Sequence, residues 1–310
     1  MVYIIYTICT QEVKKIFRGT NKRQRRMESG TTCIRTMVSD CVRSAHNDFS
    51  DRIIAMGKQT ALFLMLALIC ACGLARAENL EVPGTGRWEG MAFSSSEVDS
   101  LAQEKYDQML SDYADNKQLD ADVGMTRRVQ RIGAVLVASS ATFKAPVAAW
   151  KWEFHTTSNA NVDALSLAGG KIMIGSAFVN NLKLTDGELA MLIAHEMAHA
   201  IAEHQREELS EAQQIKGGRL TARIVMADLE LELGLQIKLY GLSSMQEAEA
   251  DELGMLIAHR AGWDSGDMVS FYVKLAASEP GAAESHAYPT MASRLSMARG
   301  MERLFASVEN

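Results

Sequence analysis

An α+β domain, mainly helical and with a small β-sheet ahead of one central apolar helix, is the fold class the sequence predicts for residues 78–310. Three observations carry this. Apolar residues recur at intervals of three and four along most of that stretch, the period of an amphipathic helix. One short interval, Ala164 to Gly175, instead reads as two β-prone runs around Gly169-Gly170, a hairpin signal. The strands come before a long run of helices instead of alternating with them, which favours α+β over a doubly wound sheet.

The chain has 310 residues, 47% of them hydrophobic and 23% charged. That composition excludes a disordered chain, a collagen-like repeat and a disulfide miniprotein. The net charge of −6 is unevenly spread: residues 1–77 hold 12 Lys+Arg and 5 Asp+Glu, and residues 78–310 hold 20 and 33. All five cysteines (Cys9, Cys33, Cys41, Cys70, Cys72) lie in the first part. The junction explains the division. Lys58, an unbroken apolar run from Ala61 to Cys72, and Ala75-Arg76-Ala77 have the order of a secretory signal with its small-residue cleavage site. The run is too short for a spanning helix. Residues 56–77 are therefore expected to be a signal peptide, and 1–55, with the basic cluster Lys22 to Arg26, an upstream segment outside the mature protein with Met56 as the working start. An exported, periplasmic chain without a transmembrane helix is expected. In an alternative reading, Ile69-Cys70-Ala71-Cys72 is a poor lipobox that anchors the chain at Cys72 to the outer membrane. The acidic balance of 78–310 makes nucleic acid an unsuitable partner.

Glu78 to Ser96 is a lead-in of no clear period. Ser94-Ser95-Ser96 offers a helix cap, and Val98, Leu101, Ala102, Met109, Leu110 and Tyr113 form one face of the first helix. A second follows Asp122, with Val129, Ile132, Val135 and Leu136 on one face. Residues 147–156 alternate large apolar and polar side chains as a strand does, and the hairpin follows. Helices are then expected at roughly 186–212, 218–240, 244–262, 264–277 and 290–306.

Chemistry concentrates in the first of these. His195-Glu196-Met197-Ala198-His199 is an H-E-x-x-H pattern; on a helix both imidazoles leave one face a turn apart, able to reach one tetrahedral zinc, with the glutamate beside them. Its surroundings, Leu189 to Ala194 and Met197 to Ile201, are apolar, so the helix is buried, and buried imidazoles need partners that a metal supplies. His204 lies nine residues after His195, and at 100° per residue it is expected on the opposite face of a continuous helix. Glu247 and Asp251, four apart, share a face of a later helix, and Glu249 points elsewhere, so that its loss should do almost nothing. Spacing leaves two readings open: Glu247 as third ligand with Asp251 behind a ligating histidine, or an acidic solvated surface, since four of the six residues 247–252 are acidic.

HEMAHAIAEH, preceded by DGELAMLIA and followed by EAEADELG and AHRAGWD, resembles peptidase family M48, the HtpX-like and CAAX-prenyl-protease-type zinc endopeptidases. The resemblance covers roughly 95–305. It implies a zincin-type metalloprotease domain in a small periplasmic form, one Zn2+ per chain on His195, His199 and Glu247, Glu196 as catalytic base, and Asp251 behind the ligands. The hairpin resembles the family's strand before the active-site helix, with Ala168 where a proline is usual. Near the C-terminus the family's H-P-x4-R is matched by Pro289 and Arg294, with Tyr288 at the histidine position and His286 two residues earlier. His286, Tyr288 and Arg294 are thus expected to touch the oxyanion or substrate. The implied activity is hydrolysis of unfolded or misassembled envelope polypeptides by a metal-activated water, the substrate pairing with an edge around Ala164–Ala168. The alternative is a non-catalytic, metal-bound chaperone or assembly factor, which would have no need of Glu196.

Overall fold

The computed structural model describes residues 78–82, 87–140, 147, 150–278 and 289–308. The expected signal peptide, the basic upstream segment, Cys72, His286 and Tyr288 lie outside the described residues.

The lead-in is not shapeless: β1 (Glu78–Val82) and β2 (Arg87–Met91) pair antiparallel. Helix α1 (Ser95–Asp115) starts where the serine run predicts, with the Ser94 hydroxyl accepting from Glu97 N. It buries Val98, Leu101, Ala102 and Tyr106, and the Tyr106 hydroxyl donates to Ile172 O at 2.6 Å, tying the helix to the sheet. Helix α2 (Val123–Ser140) buries Val129, Ile132 and Leu136 as expected, whereas Val135 is exposed and Met125 takes its place in the core.

The three-stranded sheet has the order β3-β5-β4, with β3 (Glu153–Thr157) parallel to β5 (Lys171–Gly175) and β4 (Ala164–Leu167) antiparallel to it. The strand expected from 147 begins only at Glu153. Trp150 and Trp152 ahead of it pack on the core as a cover. The β4–β5 hairpin turns at Gly169 and Gly170, whose φ values of 72° and 78° a side chain would strain. A Cβ on Gly170 would also meet the Trp152 ring at 2.8 Å.

After a short α3 (Ser176–Asn181) comes α4 (Asp186–Ile201), apolar on nearly every side and buried over almost its whole length. Its start is fixed by a capping box: Glu188 N donates to the Thr185 hydroxyl and Thr185 N donates to the Glu188 carboxylate, which satisfies two otherwise orphaned donors. Glu188 also receives Lys274 Nζ at 2.6 Å and the Ser270 hydroxyl at 2.6 Å. The core gathers around α4, with Ile172 and Ile174 of the sheet, Leu136 of α2, and Met255, Ile257 and Phe271 from later helices.

Helix boundaries beyond α4 differ from the expected ones. The helix expected to run to 212 breaks at Ala202-Glu203 and resumes as α5 (His204–Lys216). The next two expected helices divide at Glu232, giving α6 (Ala222–Leu231) and a 28-residue α7 (Leu233–Arg260). Glycine in a helix interior costs about 1 kcal/mol, yet α7 passes through Gly241. Packing on both sides outweighs that cost: Leu235 and Leu239 before it, and Leu253, Met255, Ile257 and Ala258 after it, are buried. Helices α8 (Ser265–Ser278) and α9 (Met291–Val308) close the domain. No described helix is long and apolar enough to cross a membrane.

Candidate metal centre

His195 and His199 leave the same face of α4, and their Nε2 atoms lie 3.1 Å apart. Glu247 comes from α7, placing Oε2 3.5 Å from His195 Nε2 and Oε1 3.5 Å from His199 Nε2. A tetrahedron with arms of about 2.0–2.1 Å has edges of about 3.3–3.4 Å, close to each of these separations, although the two Glu247 contacts use different oxygens. With one donor atom taken from each residue, the three lie within 4.8 Å of one another, a group that could hold a metal ion. A second observation agrees. Among the described residues, Glu247 Oε2 is buried without a hydrogen-bond partner, as is Glu196 Oε1 beside it. Leaving such atoms unsatisfied is costly, and a cation would satisfy Glu247. The acidic-surface reading of 247–252 is not what the structure holds: Glu247 is largely buried and Asp251 wholly so. Burial alone would raise the Glu247 carboxyl, but the two imidazoles pull it well below the usual range.

Behind His195 stands Asp251, its Oδ1 2.9 Å from His195 Nδ1. The contact is not a straight hydrogen bond; Oδ1 also receives the Tyr272 hydroxyl at 2.8 Å and Arg294 Nη2 at 2.6 Å. Arg294 Nε donates to Oδ2 at 2.7 Å, completing a two-pronged bridge. Burial opposes the Asp251 charge, and Arg294 and His195 nonetheless hold its carboxyl below the usual value. His195 is pushed the other way: burial would lower it, but Asp251 and Glu247 raise it to about 9. The Arg294 guanidinium, expected to touch oxyanion or substrate, is engaged by Asp251 and lies 3.7 Å from Glu247 Oε2. Close approach of α7 and α4 here depends on Gly254, where a Cβ would sit 3.0 Å from the His195 backbone.

Behind His199 the structure corrects one expectation, the place of His204. His204 is not on the opposite face, because the helix does not continue to it. Glu203 adopts φ 58°, ψ 33°, a left-handed conformation that costs a residue with a side chain roughly 1–2 kcal/mol. The chain turns there, and His204 Nδ1 comes to 2.9 Å from His199 Nδ1. The corner is braced by Arg206, which donates to the Glu203 carboxylate at 2.7 Å, to Phe93 O at 2.7 Å and to the Ser95 hydroxyl at 2.9 Å. Glu249 does project away from Glu247, but into the interior, with Oε2 3.3 Å from His204 Nε2. Gln246 Nε2 donates to His204 O at 3.1 Å and to Glu207 at 2.8 Å, closing α7 onto α5.

Glu196 lies near Ser166 of β4, and burial pushes its carboxyl upward. β4 is an edge strand. Gly175 N donates to Asp163 O, so by the alternation of antiparallel pairs Ala164 and Ser166 turn their main-chain groups away from β5. At the strand's end Ala168 N donates to Gln205 Oε1 at 2.8 Å.

Sequence comparison agrees with this geometry. The chain is 27% identical to the mitochondrial metalloendopeptidase OMA1 of Schizosaccharomyces pombe over 222 residues, 69% of this chain and 62% of that protein. It is 25% identical to a putative beta-barrel assembly-enhancing protease of Vibrio cholerae over 70% of this chain and 46% of that one. With the beta-barrel assembly-enhancing protease of Yersinia pestis the identity is 27%, over 66% and 42%. The chain thus spans less than two thirds of the length of these relatives. The profile of peptidase family M48 matches residues 125–302, more than half of the chain and a span that encloses His195, His199, Glu247 and the groups behind them, so the chain belongs to peptidase family M48.

Proposed function

We propose that this chain is a zinc-dependent endopeptidase, with His195, His199 and Glu247 holding one Zn2+ and Glu196 as the catalytic base. The observation that carries the reading is the convergence of two imidazole nitrogens 3.1 Å apart on the Glu247 carboxylate, each of whose oxygens lies 3.5 Å from one of them; its buried Oε2 has no hydrogen-bond partner among the described residues. A zinc held there would activate a water and polarise the scissile carbonyl. Glu196 Oε1 takes the water's proton, and the same carboxyl then delivers it to the leaving amine nitrogen. Its raised pKa suits a group that must hold a proton between those two events. An extended substrate adds to β4 through the outward main-chain groups of Ala164 and Ser166, which gives affinity with little dependence on sequence. Unfolded or misassembled envelope proteins are the proposed substrates. The apolar run and Ala75-Arg76-Ala77 support export, and the names of the Vibrio and Yersinia relatives support a link to β-barrel assembly.

The test is casein digestion by the purified chain, with and without chelator and added zinc, alongside Glu196→Gln. That variant should keep its metal and lose proteolysis by about 10²-fold or more. Zinc binding without proteolysis in the wild type would favour the chaperone or assembly-factor reading instead, and unchanged activity in Glu196→Gln would sink the mechanism.

A further inference from the structure

Two buried side chains that the reaction itself does not use stand in line behind His199. We infer that His204 and Glu249 form a relay that fixes the ring of His199, making them positioning residues for the metal; the inference rests on the reading of His199 as a ligand. His199 Nε2 faces His195 and Glu247, so that atom must keep its lone pair to ligate. The proton of a neutral ring is then on Nδ1, which lies 2.9 Å from His204 Nδ1. His204 Nδ1 must accept, which leaves its proton on Nε2, 3.3 Å from Glu249 Oε2. One placement of protons therefore satisfies both contacts: His199 donates to His204, and His204 donates to the Glu249 carboxylate. The rings of His199 and His204 meet at 78° with centroids 4.9 Å apart, so turning one ring collides with the other. His204 and Glu249 are both buried, at 3% and 5% exposure, and the relay is held by Gln246 on the His204 carbonyl.

A partner behind a ligating histidine sets its tautomer and direction, and its loss costs about 10–100-fold in metal affinity. Zinc affinity is measured on the full chain by competition with a chromogenic chelator. His204→Ala and Glu249→Ala should each bind zinc roughly 10–100-fold more weakly. The double variant should bind no more weakly than His204→Ala alone, because Glu249 acts only through His204. Glu249→Gln keeps an acceptor oxygen and the side-chain volume, so it should recover part of the affinity and remain folded. In the zinc-loaded wild type, nitrogen-15 NMR should show a slowly exchanging His199 Nδ1 proton that persists in Glu249→Gln and is lost in His204→Ala. Losses that add in the double variant, or wild-type affinity in both single variants, overturn the relay. If those variants and the wild type alike bind zinc and digest casein, the relay alone fails. A wild type that binds no zinc overturns the relay and the peptidase reading together.

Discussion

Asp251, which backs His195, is itself locked into the core by Arg294 and Tyr272, whereas His204, which backs His199, is delivered by a left-handed corner and a single helix start. On the first side the orienting group is also a structural member: a carboxylate, a guanidinium and a phenol that are all buried. On the second side the ring is oriented by another ring, and the charge stands one step further back in Glu249. The contrast teaches that orientation of a ligand and stability of the fold are fused on one side and separable on the other.

Five substitutions sharpen or break this contrast. The largest effect belongs to the carboxylate that both sides share. Glu247→Ala leaves two imidazoles, too few for a stable tetrahedral site, so zinc stoichiometry and proteolysis should vanish together; one tightly bound zinc per chain in this variant would disprove its role. Asp251→Ala should come next and should act twice. Zinc affinity drops about 10–100-fold, and the metal-free protein loses about 3–5 kcal/mol because Arg294 is left buried without its partner. Denaturant unfolding in the presence of chelator reads the second effect, and Glu249→Gln in the same assay should lose far less. Equal losses from the two variants would erase the distinction between the sides.

Gly254→Ala is a smaller perturbation of the His195 side alone. The added methyl meets the His195 backbone and Met191 Cε at 3.0 Å, so α7 must retreat slightly from α4, at about 1–3 kcal/mol. The retreat carries Glu247 with it, so a weakened zinc affinity should accompany the drop in thermal midpoint. The smallest effect is expected from a control on α4 that touches neither side. The Glu188 carboxyl is held below its usual value, where burial alone would raise it, by Lys274, Ser270 and Thr185. A depressed folded pKa gives stability that is complete above about pH 4.5 and is lost as pH falls through the folded value. Glu188→Gln should therefore flatten the acid limb of the stability curve below pH 4.5, seen by circular dichroism, with zinc affinity at neutral pH unchanged.

Much of the candidate site is legible in the sequence. H-E-x-x-H and the i, i+4 pair Glu247 and Asp251 depend only on helical geometry within one element, and the paired glycines announced the hairpin. What could not be read depended on a broken element or on distance along the chain. The arithmetic that sent His204 to the far face assumed a helix continuing through Glu203. The visible hint was the change at that point from an apolar run to Glu203-His204-Gln205-Arg206-Glu207-Glu208. Spacing likewise gives the direction of Glu249 on α7 but does not reveal that α5 folds back to meet it. The Arg294 bridge to Asp251 joins residues 43 apart in sequence, where periodicity carries no information. Trp150 and Trp152 suggested a longer strand because aromatic residues suit strands and core covers alike.

The left-handed residue at 203 divides two properties of a metal centre that are usually discussed as one. If Glu203 took an ordinary helical conformation, α4 and α5 would merge into one rod and His204 would swing half a turn away, yet His195 and His199 would keep their common face on α4 and Glu247 its place on α7 one turn before Asp251. The number of ligands would survive and their stiffness would not. A backbone kink that contributes no atom to the site can thus act as a tension setting, one that evolution or an engineer could adjust at a single residue without touching the chemistry.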